Sequence, residues 1–328
     1  MGWSDSKSIG CDRFRGVSSE AERLMAQQSS RWEFVAWMVL AAASWGFGTV
    51  AVKRGLSDLQ PLTLGIIALG TSTILLWAIV LIQHIPMQLN AGALRIGLIG
   101  LLSPGISFTL GVFGVRLTSA SLVSLIQATE PVAIIGLAWL ILRQRPSRSL
   151  VVLSALAIVG VCLVAGVDLS ASEGNSLIGT GLIFAATLCS ALQIVLSGRM
   201  VITLDPRVLV TLQQTAGFVW LLAIWPIEML QAQESSASLI NLSGWAWAAI
   251  HGISFWALGY LFYFRGVRKA SPSLAAPFLS LIPVFGISTA FVLLGERLQV
   301  TQWIGAILIL VAMTSIARLS RPETHPEE

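Results

Sequence analysis

Two stretches decide how this chain is built: Gly114–Arg145, GVRLTSASLVSLIQATEPVAIIGLAWLILRQR, and Gly266–Arg297, GVRKASPSLAAPFLSLIPVFGISTAFVLLGER. Laid over each other without gaps at a shift of 152 residues, they agree at 12 of 32 positions. Gly114-Val115-Arg116 falls on Gly266-Val267-Arg268, Ser119 and Ser121-Leu122 on Ser271 and Ser273-Leu274, and Pro131-Val132 on Pro283-Val284. Ile135, Ala138, Leu142 and Arg145 fall on Ile287, Ala290, Leu294 and Arg297. Apolar composition alone does not align Gly, Arg, Ser and Pro in one register, so the stretches read as copies of one structural unit. A weaker echo links Ser44 and Lys53 with Ser190 and Arg199.

Each copy lies within an array of apolar runs. Of the 328 residues, 55% are hydrophobic and 11% charged, against about 25% charged in an ordinary soluble domain. Mean hydropathy is +0.81. So few charges cannot clothe a soluble globule, and so many apolar residues exclude disorder. The runs are 34–52, 61–83, 96–115, 118–142, 149–167, 177–198, 207–229, 243–264, 271–294 and 301–317, each near the roughly 20 residues that cross a bilayer core. Only Arg116-Leu117 separates the third from the fourth. One helix over both would be about 70 Å long, over twice the hydrocarbon thickness, so the chain must turn there.

The basic residues orient the array. With the N-terminus in the cytoplasm, 16 of the 20 Lys and Arg fall inside: five in the N-terminal tail, then Arg95, Arg143, Arg145, Arg148, Arg199, Arg207, Arg265, Arg268, Lys269, Arg318 and Arg321. Lys53, Arg54, Arg116 and Arg297 fall outside. The net charge of +4 is thus spread over six inner segments and does not point to a nucleic-acid partner. Residues 1–32 carry no apolar core of a leader and read as a solvated tail. The expected fold is an all-α integral membrane protein: ten transmembrane helices in two inverted five-helix repeats, 33–168 and 169–318, flanked by tails at 1–32 and 319–328. Five spans are an odd number, so the second repeat enters from the opposite side. Such inverted repeats mark secondary transporters, with the substrate site near the midplane.

Trp45 and Lys53 around the end of the first span, the repeated Ser-Leu, Pro-Val and Leu-x-x-Arg pattern, and Leu293-Leu294-Gly295-Glu296-Arg297-Leu298 together resemble the drug/metabolite transporter superfamily, in its EamA branch. The resemblance covers about 34–318. It implies movement of a small metabolite across a membrane. The first half departs from the pattern at Gln144, where the family usually carries Glu, so an acid is not required there in both halves.

Polar residues at depth are the candidate site, because burying them without a role is costly. Glu130, in Ala128-Thr129-Glu130-Pro131, is mid-span and reads as a proton-coupling or cation-binding group, or else as a neutral group bonded across helices. Gln127 shares its side of the fourth span. Small residues on the matching faces, including Ser121, Ser124, Ser273 and Ser280, form either a packing seam or a cavity wall. His251 is the one histidine well inside a span, and a lone histidine is more often structural than catalytic. Gln193, Gln213 and Gln214 are further polar groups at depth. Tyr260 lies two and a half turns past His251. Trp45 joins the set by the resemblance. Trp32, Trp37, Trp225, Trp245 and Trp303 lie near span ends, as an aromatic belt does.

No Gly-Lys dipeptide, hence no Walker A loop, and no G-x-S-x-G or H-E-x-x-H motif occurs. Cys11, Cys162 and Cys189 are too scattered for a metal site or disulfide framework, and no cofactor is implied. The sequence therefore reads as a secondary active transporter in the cell inner membrane, not an enzyme, with export of a small metabolite such as an amino acid favoured. Its partners would be that metabolite, the lipid bilayer and, if the cycle is coupled, protons. Antiport, exchange and facilitated diffusion all fit. A non-transporting sensor or lipid-modifying enzyme is the alternative, and would need a signalling domain or an acid or metal cluster.

Overall fold

The computed structural model describes residues 8–87, 91–115, 117, 123, 126–165, 176–231, 242–294 and 299–319, with side chains described from Arg31 onward, except at 91, 231 and 294. Among them there is helix and turn but no strand. We number the helices α1 (Ser8–Gly55), α2 (Pro61–Ile82), α3 (91–115), α4 (Glu130–Leu142), α5 (Arg148–Ala165), α6 (Leu177–Met200), α7 (Pro206–Gln231), α8 (242–267), α9 (272–294) and α10 (Val300–Leu319). Eight are long and apolar enough to cross a membrane: α1 over Arg31–Gly55, α2, α3, α5, α6, α7, α9 and α10. The chain is a multi-pass membrane protein. Helix α4 is apolar but shorter. Helix α1 begins well before the expected span, at Ser8. The expected turn at Arg116 lies outside the described residues, although Leu117 is in a turn and its carbonyl accepts from Ser176 N at 3.0 Å.

Local sequence sets the helix ends. Pro61 opens α2 at a position that has no hydrogen-bond duty for its missing N–H. Ser147 and Ser271 cap α5 and α9, accepting from Leu150 N and Leu274 N at 3.1 and 3.4 Å. Helix α4 stops at Arg143, which adopts a left-handed backbone (φ 56°).

The principal neighbours are α1 with α8 and α9, α2 with α7 and α8, α3 with α6 and α7, α4 with α6 and α9, and α5 with α10. Replacing each helix by the one five places on, or five back, returns the same set. Contact between α1 and α8 becomes contact between α6 and α3, and α2 with α7 maps onto itself. Small residues bring the backbones together where lipid supplies no hydrophobic drive. A Cβ at Gly160 would lie 2.8 Å from the Gly305 carbonyl, and one at Gly305 2.5 Å from that of Gly160, so α5 and α10 touch backbone to backbone. Outward faces are apolar, as at Ile74, Leu140 and Val292, each about three-quarters exposed.

A carboxylate fastens α2 to α7. Glu228 is buried, and its two oxygens accept from Leu62 N, Thr63 N and Thr63 Oγ1, all at 2.8 Å. Trp225 Nε1 donates in turn to Thr63 Oγ1 at 3.0 Å. Gln60, the N-cap residue of α2, makes no side-chain cap. Glu228 therefore supplies the negative charge and acceptors that the first turn of α2 requires.

Candidate functional site

Four helices are irregular, and the irregularities come in pairs. In α3 the segment Leu101–Ile106 is π-helical, with Ser103 extended (φ −151°, ψ 126°) before Pro104. In α8 the segment Gly252–Gly259 is π-helical. The two overlap at the 152-residue shift of the sequence repeat. Helix α4 begins at Glu130 after a turn at Thr129, and the regular part of α9 begins at Ile282 after a 3-10 stretch, Ala276–Leu281. Glu130 and Ile282 are equivalent at that same shift. Pro131 and Pro283 follow each break and enforce it, because proline lacks the N–H that a continuous helix would use.

The break puts a carboxyl where a helix N-terminus is. Glu130 is the first residue of α4, next to its free N–H groups and the positive end of its dipole. Thr129 Oγ1 is turned back onto Ile126 O at 2.6 Å. The Glu130 side chain lies near Ser190 of α6 and near Tyr260 and Tyr263 of α8.

Those tyrosines belong to an aromatic cluster. The Trp45 ring meets Tyr260 edge-on at 5.4 Å and Tyr263 at 5.3 Å, with Phe255 at 6.3 Å. Trp256 stacks on Tyr260 at 5.7 Å. The indole of Trp45 fits because Gly259 lacks a side chain: a Cβ there would fall 2.5 Å from Trp45 Nε1. Tyr260 O–H and Ser103 Oγ are 3.5 Å apart, joining α8 to the break in α3. Trp45 Nε1, Trp256 Nε1, Tyr263 O–H and Gln214 Oε1 are buried with no hydrogen-bond partner among the described residues. Buried polar groups are rarely left so, and here three donors and an acceptor share the aromatic cluster and its border.

The glutamines divide. Gln193 Nε2 donates to Gln213 Oε1 at 2.7 Å, and Gln213 Nε2 to Ser197 Oγ at 2.7 Å, which ties α6 to α7. Gln214 turns the other way, donating to Trp256 O at 3.2 Å. His251 is buried, with Nδ1 2.9 Å from Gly48 O and its ring 5.0 Å from Phe255; it links α8 to α1 beside the cluster. Gln127 is exposed one turn before the break and makes no hydrogen bond to a described residue. The structure therefore brings together Trp45, Glu130, Gln214 and Tyr260, places His251 at the border, and leaves Gln193 in the α6–α7 tie and Gln127 apart. Sequence reasoning missed Ser103, Ser190 and Trp256, which carry no signal beyond being polar or aromatic within an apolar run. It also missed Glu228, which lies one residue short of a span end and reads there as an interfacial acid.

Paired breaks in two halves call for comparison with known repeats. The model of the EamA-like transporter family matches residues 33–166 and, a second time, 177–318. The chain belongs to the EamA-like transporter family. Similar proteins include the uncharacterized transporter YyaM of Bacillus subtilis, 28% identical over 71% of this chain and 75% of its own length. The uncharacterized transporter YetK of the same organism is 21% identical over 66% of this chain, a match that spans 65% of YetK. Protein PecM of Dickeya dadantii is 25% identical over 69% of this chain and 74% of its own. A solved crystal structure, 17% identical, superposes with a TM-score of 0.68 over 87% of this chain and 98% of that one, and shares the fold. The protein is accordingly a membrane transporter.

Proposed function

We propose that this EamA-like protein is a secondary active transporter that exports a small zwitterionic metabolite, such as an amino acid, by alternating access. Its ten helices form two inverted five-helix repeats, 33–168 and 169–318, between tails at 1–32 and 319–328. It resides in the cell inner membrane with both termini in the cytoplasm. The neighbour set that survives exchange of the halves supports this arrangement. Helix breaks at matching positions of two halves are the usual place of a transporter's binding site.

The observation that carries the reading is Glu130 at the broken start of α4, facing an aromatic cluster that holds unpartnered donors. A substrate carboxylate takes the donors, Trp45 Nε1, Trp256 Nε1 and Tyr263 O–H. Its ammonium takes Glu130 and Gln214 Oε1. A substrate that carries its own counter-ion suits a site with one ionisable acid. Tyr260 holds the wall, Gln193 steadies the α6–α7 contact and His251 the α1–α8 contact, while Gln127 stands apart from the site. Protonation of Glu130 competes with ammonium binding, which couples export to proton entry.

The test is transport in proteoliposomes loaded with amino acids. Wild-type protein drives uptake under an imposed pH gradient, and Glu130→Gln abolishes the gradient-driven component while retaining counterflow. Unchanged flux with unchanged pH dependence in Glu130→Gln refutes the coupling. A reporter fused after Glu328 reads cytoplasmic and one within 230–242 external; the opposite pattern refutes the orientation.

A further inference from the structure

A groove of about 970 Å³ opens between the Glu33–Leu40 stretch of α1, the start of α7 and the end of α8, a volume ample for a bound small molecule or lipid headgroup. Its charged lining is Arg207, Arg265, Arg268 and Lys269 against Glu33 and Asp205, an excess of two positive charges among the described residues. Lys269 Nζ stands 2.7 Å from Glu33 Oε2, and Arg207 is paired with Asp205 at 2.6 Å while also donating to Gln83. The surplus is therefore Arg265, whose guanidinium lies 5.1 Å over the Trp37 ring, and Arg268, which is exposed and forms no ion pair with a described residue.

The deeper lining is different. Trp37 and Leu40 of α1 lie on one side and Ile202, after α6, on the other. Leu40 is 45% and Ile202 47% exposed. Leu40 is seven residues beyond Glu33, or about 10 Å further along the helix. The groove is thus cationic at one end and apolar along the exposed face of α1 and the turn after α6.

We propose that this groove binds an anionic diacyl phospholipid. Its phosphate sits between Arg265 and Arg268, within reach of Lys269, and one acyl chain lies along Trp37, Leu40 and Ile202. Charge complementarity selects an anionic over a zwitterionic headgroup, as basic pockets between membrane helices do. The continuous apolar wall selects a lipid over a soluble anion, which would use only the rim. The inference needs the protein to be a membrane protein but not the transport reading above, and Glu130 plays no part in it.

Native mass spectrometry of the full chain in neutral detergent tests it, with dioleoylphosphatidylglycerol, dioleoylphosphatidylcholine and inorganic phosphate as probes. Phosphatidylglycerol is expected to bind at least ten-fold more tightly than phosphatidylcholine, and inorganic phosphate at the same concentration leaves it bound. Each neutralised basic residue near a headgroup is worth about five-fold in affinity. Arg268→Gln therefore weakens phosphatidylglycerol about five-fold, and Glu33→Gln, which frees Lys269, strengthens it about five-fold. Equal binding of the two lipids overturns the proposal, and that comparison uses only the wild-type chain. Displacement by inorganic phosphate, or variants that leave the affinity unchanged, overturn it as well.

Discussion

Replacing Glu228 by Gln should cost the protein a sizeable part of the stability of its α2–α7 contact. Glu228 Oε2 accepts from Leu62 N, and Oε1 accepts from Thr63 N and Thr63 Oγ1, each at 2.8 Å in a buried setting. Glutamine has one carbonyl oxygen. In its better orientation it keeps both Thr63 bonds and turns its NH₂ towards Leu62 N, so a donor faces a donor. One buried backbone N–H left without an acceptor costs about 1–3 kcal/mol. Losing the negative charge at the first turn of α2 adds about 0.3–2 kcal/mol, giving about 1–5 kcal/mol in all. The effect is read from chemical unfolding in detergent micelles of wild type, Glu228→Gln and Glu228→Ala. Alanine removes every acceptor and should be lower still. A cycle with Thr63→Val then isolates the hydroxyl contribution. If Glu228→Gln unfolds within about 0.5 kcal/mol of wild type, the carboxylate is not holding the start of α2, and the account of that helix end is wrong.

Other expectations are simpler to state. Trp45→Phe keeps a ring against Tyr260 but deletes an indole N–H that bonds no described residue; stability should hold while the transport KM rises about ten-fold, and an unchanged KM excludes Trp45 from the substrate site. Gly305→Leu forces a side chain onto the Gly160 carbonyl; it should lower the apparent Tm sharply, whereas the same change at Gly136, where nothing lies within 4 Å, should be tolerated. Asp205, between α6 and α7, is held below the usual carboxylate range by its hydrogen bond with Arg207. Its contribution is present above the ordinary Asp value of about 3.9 and is lost as pH falls through the lowered one. Partial exposure limits that contribution to under about 1 kcal/mol. Asp205→Asn should remove this acid-side slope from a stability–pH profile, leaving the neutral-side slope unchanged.

Much of the frame was legible because membrane helices announce themselves by apolar length. The depth of Glu130 and the 152-residue repeat were plain in the letters, and the pairing of Pro131 with Pro283 foreshadowed two broken helices. The break point itself was not visible: polar residues are scattered over 118–130 without a turn signal, and only the structure has regular helix beginning at Glu130. Periodicity also could not separate Gln213 from Gln214, adjacent residues that serve opposite neighbours. On an unbroken helix Gln127 would lie on the face whose edge Glu130 occupies, and the turn at Thr129 intervenes between them. The partners of Glu228 depend on α2 and α7 meeting end to start, about 165 residues apart along the chain, and no local pattern carries that information.

The equivalent breaks in α4 and α9 do not carry equivalent chemistry. One begins with a carboxylic acid and the other with isoleucine, Ile282. The two halves therefore share a break at this position but only one ionisable group beside it. Any ion coupling that runs through these breaks is limited to one elementary charge per turnover. The thermodynamic limit on the solute gradient would then be one unit of proton-motive force, rather than the two that a fully symmetric pair of acids would allow.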